Sequence, residues 1–97
     1  MTQTGGGQDC LGFRVSGRIQ GVGFRAWVQR QALRLRITGW VRNEADGTVS
    51  CECRGTQEAL EAFTEALRRG PPLARIDKID TCRVSGTAAS KRFEILY

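Results

Sequence analysis

A glycine-rich stretch ending in an arginine is the part of this sequence best suited to bind an anion. Residues 16–25 read Ser-Gly-Arg-Ile-Gln-Gly-Val-Gly-Phe-Arg. An apolar alternation typical of a strand precedes this stretch, and apolar residues at helical spacing follow it. Gly21 and Gly23 can adopt backbone angles that point the N–H groups of the loop toward a bound ligand. Arg25 stands in the first helical turn, where a cation opposes the helix dipole. Because no acidic residue balances Arg25 nearby, we interpret the loop as a phosphate site.

Other phosphate-binding motifs fit this loop less well. Residues 21–26 match the Gly-x-Gly-x-x-Ala pattern of dinucleotide-binding folds, but such folds need repeated parallel βαβ units, and here the next strand enters a tight hairpin. No Gly-Lys-Ser/Thr follows the glycines, so the loop is not a Walker loop. No cysteine stands six positions before an arginine, and the chain has no histidine. The loop therefore lacks a covalent nucleophile.

The charge of the chain is concentrated in its first half. The formal net charge is +5, and no Asp or Glu occurs between Cys10 and Asn43. The arginines of that segment are Arg14, Arg18, Arg25, Arg30, Arg34, Arg36 and Arg42. This half of the fold is therefore expected to carry a positive field that attracts anionic partners.

The cysteine pattern argues against a metal centre. The four cysteines include no C-x-x-C pair and the chain has no histidine, so the ligand spacing of a zinc site is missing. Cys51 and Cys53 are spaced on a predicted strand in phase with Val49, on its apolar face. We therefore predict no metal, and we interpret the cysteines as reduced, buried thiols.

The alternation of apolar and polar residues predicts a small α+β domain. The predicted elements are strand 10–16, helix 24–35, strand 37–43, strand 48–54, a helix capped by Thr56 and stopped by residues 70–72, strand 76–84 and strand 93–96. Residues 43–47 form a turn with an Asp-Gly pair suited to positive φ. This order predicts a ferredoxin-like split β-α-β sandwich, with two helices on one face of a mainly antiparallel sheet and a short C-terminal strand.

The ends and the location of the protein can also be predicted from composition. Residues 1–9 are expected to form a flexible Gly-rich leader, and residues 10–97 the folded domain. No apolar run in the sequence approaches the roughly 20 residues that a membrane span needs, and the N-terminus lacks the apolar core of a signal peptide. We expect a cytoplasmic protein with no membrane association.

Two blocks of the sequence resemble the signature motifs of acylphosphatases. Residues 15–25 match the first block, and residues 39–49, Gly-Trp-Val-Arg-Asn-Glu-Ala-Asp-Gly-Thr-Val, match the second in the expected order. The resemblance implies cofactor-free hydrolysis of acyl phosphates to a carboxylate and inorganic phosphate. It also implies that Arg25 holds the phosphate and Asn43 orients the attacking water. The backbone N–H groups that it assigns to phosphate binding are those of Gln20, Gly21, Val22, Gly23, Phe24 and Arg25.

The sequence departs from the family pattern at the end of the first helix. Arg36 occupies the place where a glycine commonly terminates this helix. We therefore predict that residues 35–37 use a different C-cap, at a cost of up to about 1 kcal/mol.

Two other functions remain as alternatives. One is a non-catalytic, regulatory anion-binding domain, such as the acylphosphatase-like module of hydrogenase-maturation carbamoyltransferases, which should continue into zinc-finger cysteine pairs. The other is an RNA-binding domain, since RRM domains share this order of elements. An RRM carries stacking aromatics on its central strands, and residues 48–54 contain none. We expect a monomer that takes a small acyl phosphate and no nucleic acid.

Overall fold

The computed structural model describes residues 8–84 and 91–97 of the chain. Its elements are β1 (Asp9–Arg18), α1 (Phe24–Arg34), β2 (Thr38–Asn43), β3 (Val49–Gly55), α2 (Gln57–Arg69), β4 (Arg75–Arg83) and β5 (Phe93–Leu96). The predicted order of elements is confirmed, and their ends shift by only one or two residues. Asp9 begins β1, so the folded part starts inside the stretch predicted as a leader. Residues 1–7 of that leader lie outside the described part of the chain.

The five strands form one sheet in the order β4-β1-β3-β2-β5. β1 pairs antiparallel with β3 and β4, and β2 pairs antiparallel with β3. β5 pairs in parallel with β2 at one edge. The sheet is thus mainly antiparallel with one parallel pair, and the α+β ferredoxin-like prediction is confirmed.

The hydrophobic core lies between one face of the sheet and the two helices. α1 buries residues one turn apart, and α2 buries apolar residues along one face. The buried helical residues are Phe24, Val28 and Ala32 of α1 and Leu60, Phe63, Ala66 and Leu67 of α2. Phe63 packs edge-on against Phe13 of β1, with ring centroids 5.7 Å apart. None of the helices in the described segments is long and apolar enough to cross a membrane.

The four cysteines divide according to the face of the sheet on which they lie. Cys51 and Cys53 face the helices and are each 2% exposed, as predicted. Cys82 is exposed and Cys10 is only partly buried, so the prediction of buried thiols is wrong for these two. The reason is the two-residue repeat of strands: Cys10 and Gly12 alternate with the buried Phe13, and Cys82 pairs opposite Gly12.

The C-terminus of α1 uses the same cap that a glycine would form. Arg36 has φ 60°, in the left-handed region. The Ile37 N–H donates to the Ala32 carbonyl at 2.8 Å, and the Arg36 N–H donates to the Leu33 carbonyl at 3.2 Å. These two bonds define a Schellman motif, so the prediction of a different C-cap is wrong. The buried Ile37 side chain anchors the motif in the core, and Arg36 accepts a conformation that glycine adopts more easily.

Gly39 lies where the backbone of β2 comes close to the backbone of β3. A Cβ at this position would be 1.8 Å from the Glu52 carbonyl oxygen, and the residue has φ 141°. Both the close approach and the backbone angle therefore require glycine here. Gly39 pairs with Cys53 in a register that places Asn43 opposite Val49 at the end of the strand.

Candidate active site

A concavity of about 170 Å³ lies between the β1–α1 loop, the end of β2 and the end of β5. Five of the residues predicted for the site line it: Gly21, Gly23, Phe24, Arg25 and Asn43. The two residues with predicted side-chain roles, Arg25 and Asn43, are thus brought together, although they are on different elements. Ile95 and Tyr97, at and after the end of β5, complete the wall on the far side.

The backbone of the loop leaves hydrogen-bond donors at the start of α1. Gly21 has φ 82° and Gly23 has φ 76°, and both would have open space around an added Cβ. The glycines are therefore required by the backbone angle and not by crowding. Gly23 caps α1 without a side-chain hydrogen bond, and the first turn contains no acidic residue. The first N–H groups of a helix have no intrahelical partner, so the loop and helix start present donors and a positive dipole end to an anion.

Arg25 reaches across the concavity to the last strand. Its Nη1 donates to the Leu96 carbonyl at 3.1 Å, and its guanidinium carbon lies 4.6 Å from the centroid of the Tyr97 ring. This carbonyl bond and ring contact hold a half-buried cation in place. Within residues 8–84 and 91–97 the guanidinium makes no second hydrogen bond, so its remaining N–H donors stay available to a guest.

Asn43 ends β2 and is half-buried at the edge of the concavity. No described residue hydrogen-bonds its side-chain amide, although its backbone belongs to the β2–β3 ladder. The amide carbonyl oxygen can accept a hydrogen bond from water, and the amide nitrogen can donate one. Neither atom acts as a base near neutral pH.

The carboxylates nearest to Asn43 in sequence are engaged elsewhere. Hydrogen bonds from Ser50 and then from Arg42 lower the pKa of Glu44 below its ordinary value. Hydrogen bonds from the side chain and then the backbone of Thr48 lower the pKa of Asp46. Neither carboxylate lines the concavity, so neither is placed to take a proton from water there.

Two of the residues predicted for the phosphate loop do not line the concavity. Val22 packs against the hydrophobic core. Gln20 directs its side chain to the β2–β3 hairpin, where Nε2 donates to the carbonyls of Glu44 at 2.9 Å and Thr48 at 3.0 Å. Phosphate binding by the backbone N–H groups of Gln20 and Val22 stays a prediction.

The contribution of β5 to the site was not predicted. Leu96 and Tyr97 contact the Arg25 side chain, and Tyr97 is 94% exposed. Their sequence carries no signal for this role, because a four-residue strand does not indicate its partner. In the part of the chain that the structure describes, no cluster of three or more His, Cys, Asp or Glu side chains is arranged to hold a metal ion.

Comparison with known proteins identifies the family. The sequence matches the family model described as acylphosphatase over residues 11–95. The chain belongs to the acylphosphatase family. The acylphosphatase of Rhizobium etli is 56% identical over 68 residues, which are 70% of this chain and 72% of that protein. The activity that goes with the family, hydrolysis of acyl phosphates, is the activity of this chain.

Solved structures place the whole fold in the same family. The structure of an acylphosphatase from Coxiella burnetii superposes on this chain with a TM-score of 0.88 at 32% identity. The match covers 99% of this chain and 100% of that protein. A crystal structure of full-length HypF in a phosphate- and nucleotide-bound form gives a TM-score of 0.86 at 28% identity. The match covers 94% of this chain but only 12% of HypF. The fold thus occurs both as a small acylphosphatase and as one part of a much larger protein.

Proposed function

We propose that this acylphosphatase holds the phosphoryl group in the loop of residues 20–25 and aims a water molecule at phosphorus with Asn43. The observation that carries the proposal is that Arg25 and Asn43 line one concavity of about 170 Å³. Such a volume accommodates a phosphoryl group and an attacking water.

The phosphate side of the proposal uses fixed positive charge. The donors are the loop N–H groups and the guanidinium of Arg25, which binds two oxygens of a phosphate in a fork and stays charged at any working pH. The bond from Arg25 to the Leu96 carbonyl, 3.1 Å long, orients the guanidinium before substrate arrives. Donors that are already oriented stabilise the charge of the transition state at no cost of reorganisation during the reaction.

The water side of the proposal uses position and not basicity. The Asn43 carbonyl oxygen accepts a hydrogen bond from water and holds it in line with the bond to be broken. The water oxygen forms a bond to phosphorus while the bond from phosphorus to the acyl oxygen breaks, and the electron pair leaves with the carboxylate. One proton of the water passes to an oxygen of the substrate's own phosphate, and the other stays on the oxygen now bound to phosphorus. Because the carboxylate is a good leaving group, positioning and charge stabilisation supply most of the acceleration.

We further propose that the enzyme acts in the cytoplasm as a monomer, with residues 10–97 as its working domain, and that it takes no nucleic acid. The support for the last point is that β3, a central strand, carries Ser50 and Glu52 on the face away from the helices. Neither side chain can stack on a base, which is what recognition of single-stranded RNA by such a sheet requires.

Two substitutions test the proposed roles. Arg25→Ala should lower kcat/KM about 100-fold or more and weaken inhibition by inorganic phosphate, because a charged donor to the phosphoryl group is lost. Asn43→Ala should lower kcat by a similar factor and leave phosphate inhibition nearly unchanged. The assay is release of phosphate from benzoyl phosphate with a chelator present.

The exposed Arg30, which lies five residues further along α1 and outside the concavity, provides the control. Arg30→Ala removes the same charge and should leave turnover within about two-fold. Equal losses in Arg30→Ala and Arg25→Ala would mean that net charge, and not the site, is responsible. Full turnover in Asn43→Ala would refute the role of Asn43.

A further inference from the structure

We infer that Gln20 is a positioning residue that fixes Asn43 relative to the phosphate loop. The inference rests on the roles proposed above for Arg25 and Asn43. Gln20 opens the phosphate loop, but its side chain lies against the hairpin that follows Asn43. One side chain therefore links the part of the site that would hold phosphate with the part that would hold water.

The bonds from Gln20 are made immediately next to Asn43. Its Nε2 donates to the carbonyl oxygens of Glu44 and Thr48, at 2.9 and 3.0 Å. These two residues follow the last pair of the β2–β3 ladder, Asn43 with Val49, and they are themselves joined by a bond of 2.8 Å from the Glu44 N–H to the Thr48 carbonyl. The two N–H groups of the Gln20 amide thus donate to both sides of the hairpin, next to Asn43.

The hairpin is stiff enough to transmit this attachment. The Asp46 Oδ1 accepts hydrogen bonds from the Thr48 N–H at 3.0 Å and from the Thr48 hydroxyl at 2.6 Å. Arg42 donates to the Glu44 carboxylate at 3.1 Å. Because these hydrogen bonds hold the turn together, we expect the turn and the end of β2 to move together. A shift of the Glu44 and Thr48 carbonyls would therefore also shift Asn43.

Gln20 is also the residue that joins the loop to the hairpin by hydrogen bonds. Among the described residues, no other side chain or backbone group of residues 19–23 bonds to residues 43–48. The Gln20 side chain is exposed, and exposed hydrogen bonds exchange with water at little net gain in stability. Its two bonds therefore affect placement more than folding. A misplacement of about 1 Å between reacting groups can reduce a rate about 100-fold.

The first test replaces the amide by an apolar side chain of the same length. Gln20→Met in the full chain keeps the backbone N–H of residue 20 and removes both side-chain donors. We expect kcat for benzoyl phosphate to fall about 10- to 100-fold, and the inhibition constant of inorganic phosphate to change by less than about three-fold. The split is expected because the loop and Arg25 still hold phosphate while the water is misplaced.

A second glutamine gives the matched control. The Gln29 Nε2 donates to the Phe93 carbonyl at 2.9 Å, which joins α1 to β5 away from the hairpin. Gln29→Met loses a bond of the same kind, and it should keep kcat within about two-fold. A kcat for Gln20→Met no lower than that of Gln29→Met would overturn the inference.

A double-mutant cycle separates this inference from the proposed function. If Gln20 acts through Asn43, then Gln20→Met should change kcat less than about two-fold in an Asn43→Ala background. Independent, multiplying losses would overturn the positioning role. If Asn43→Ala alone keeps wild-type turnover, the proposed role of Asn43 is refuted, and the inference about Gln20 is refuted with it. If Asn43→Ala is impaired while Gln20→Met is not, only the role of Gln20 fails. Phosphate binding followed by NMR confirms that each variant is folded.

Discussion

Replacing Arg36 with glycine should raise the stability of this fold. Arg36 has φ 60° at the position that follows the end of α1, and the left-handed conformation costs a residue with a Cβ about 1–2 kcal/mol. Glycine avoids this cost, although its greater freedom in the unfolded chain takes back about 0.5–1 kcal/mol. The net gain is therefore centred on about 0.75 kcal/mol, which corresponds to a rise in Tm of about 3–6 °C for a domain of this size.

The prediction needs a control for charge. Arg36 is a cation near the C-terminal end of a helix, where its loss costs about 0.3 kcal/mol. Arg36→Ala removes the same charge and keeps the Cβ, so it should leave stability unchanged or slightly lower it. Urea unfolding followed by tryptophan fluorescence measures both variants. Equal stability of the glycine and alanine variants would refute the assignment of the left-handed cap.

Two further predictions concern ionisable groups. Cys51 and Cys53 are each 2% exposed, and burial and a hydrogen bond donated to Cys51 raise the pKa of Cys53 well above its ordinary value. Iodoacetamide should therefore modify neither thiol in the native protein and both in urea. Labelling of the native protein at the rate of the unfolded chain would contradict this prediction. The pKa values of Glu44 and Asp46 are lowered in the folded chain, so their stabilisation is complete at neutral pH and is lost as pH falls through the folded-state values. At pH values lower than about 4.5, the free energy of unfolding should decrease as the pH decreases. The decrease should be less steep for the double variant Glu44→Gln/Asp46→Asn. Identical pH profiles of the two proteins would contradict the assignment.

Local chemistry explains which parts of the structure could be predicted from the sequence. The Thr56 cap is confirmed, with its hydroxyl accepting from the Ala59 N–H at 3.1 Å, because capping depends on residues one turn apart. The Asp46-Gly47 turn is confirmed, with Gly47 at φ 93°. Both signals lie within a few residues of the feature that they specify.

Long-range contacts explain which parts could not be predicted. The Gln20 side chain donates hydrogen bonds to carbonyls 24 and 28 residues away. Because every residue has a backbone carbonyl, the sequence does not indicate which carbonyls accept these bonds. The same holds for the Leu96 carbonyl that holds Arg25 across 71 residues. The cap at Arg36 differs from the prediction because the burial of Ile37 in the core outweighs the local preference for glycine at the preceding position.

Gly39 also determines which way Asn43 points. Successive side chains of a strand lie on opposite faces, so sliding β2 by one residue against β3 would reverse the face of every side chain on β2. Such a slip would put Thr38 or Trp40 in the place where the backbone comes nearest to the Glu52 carbonyl, and a Cβ there would be 1.8 Å from that oxygen. A slip by one residue in either direction is therefore sterically blocked, and in the observed alignment Asn43 lines the concavity. A residue without a side chain, four positions away, thus selects the orientation of the side chain proposed to guide water.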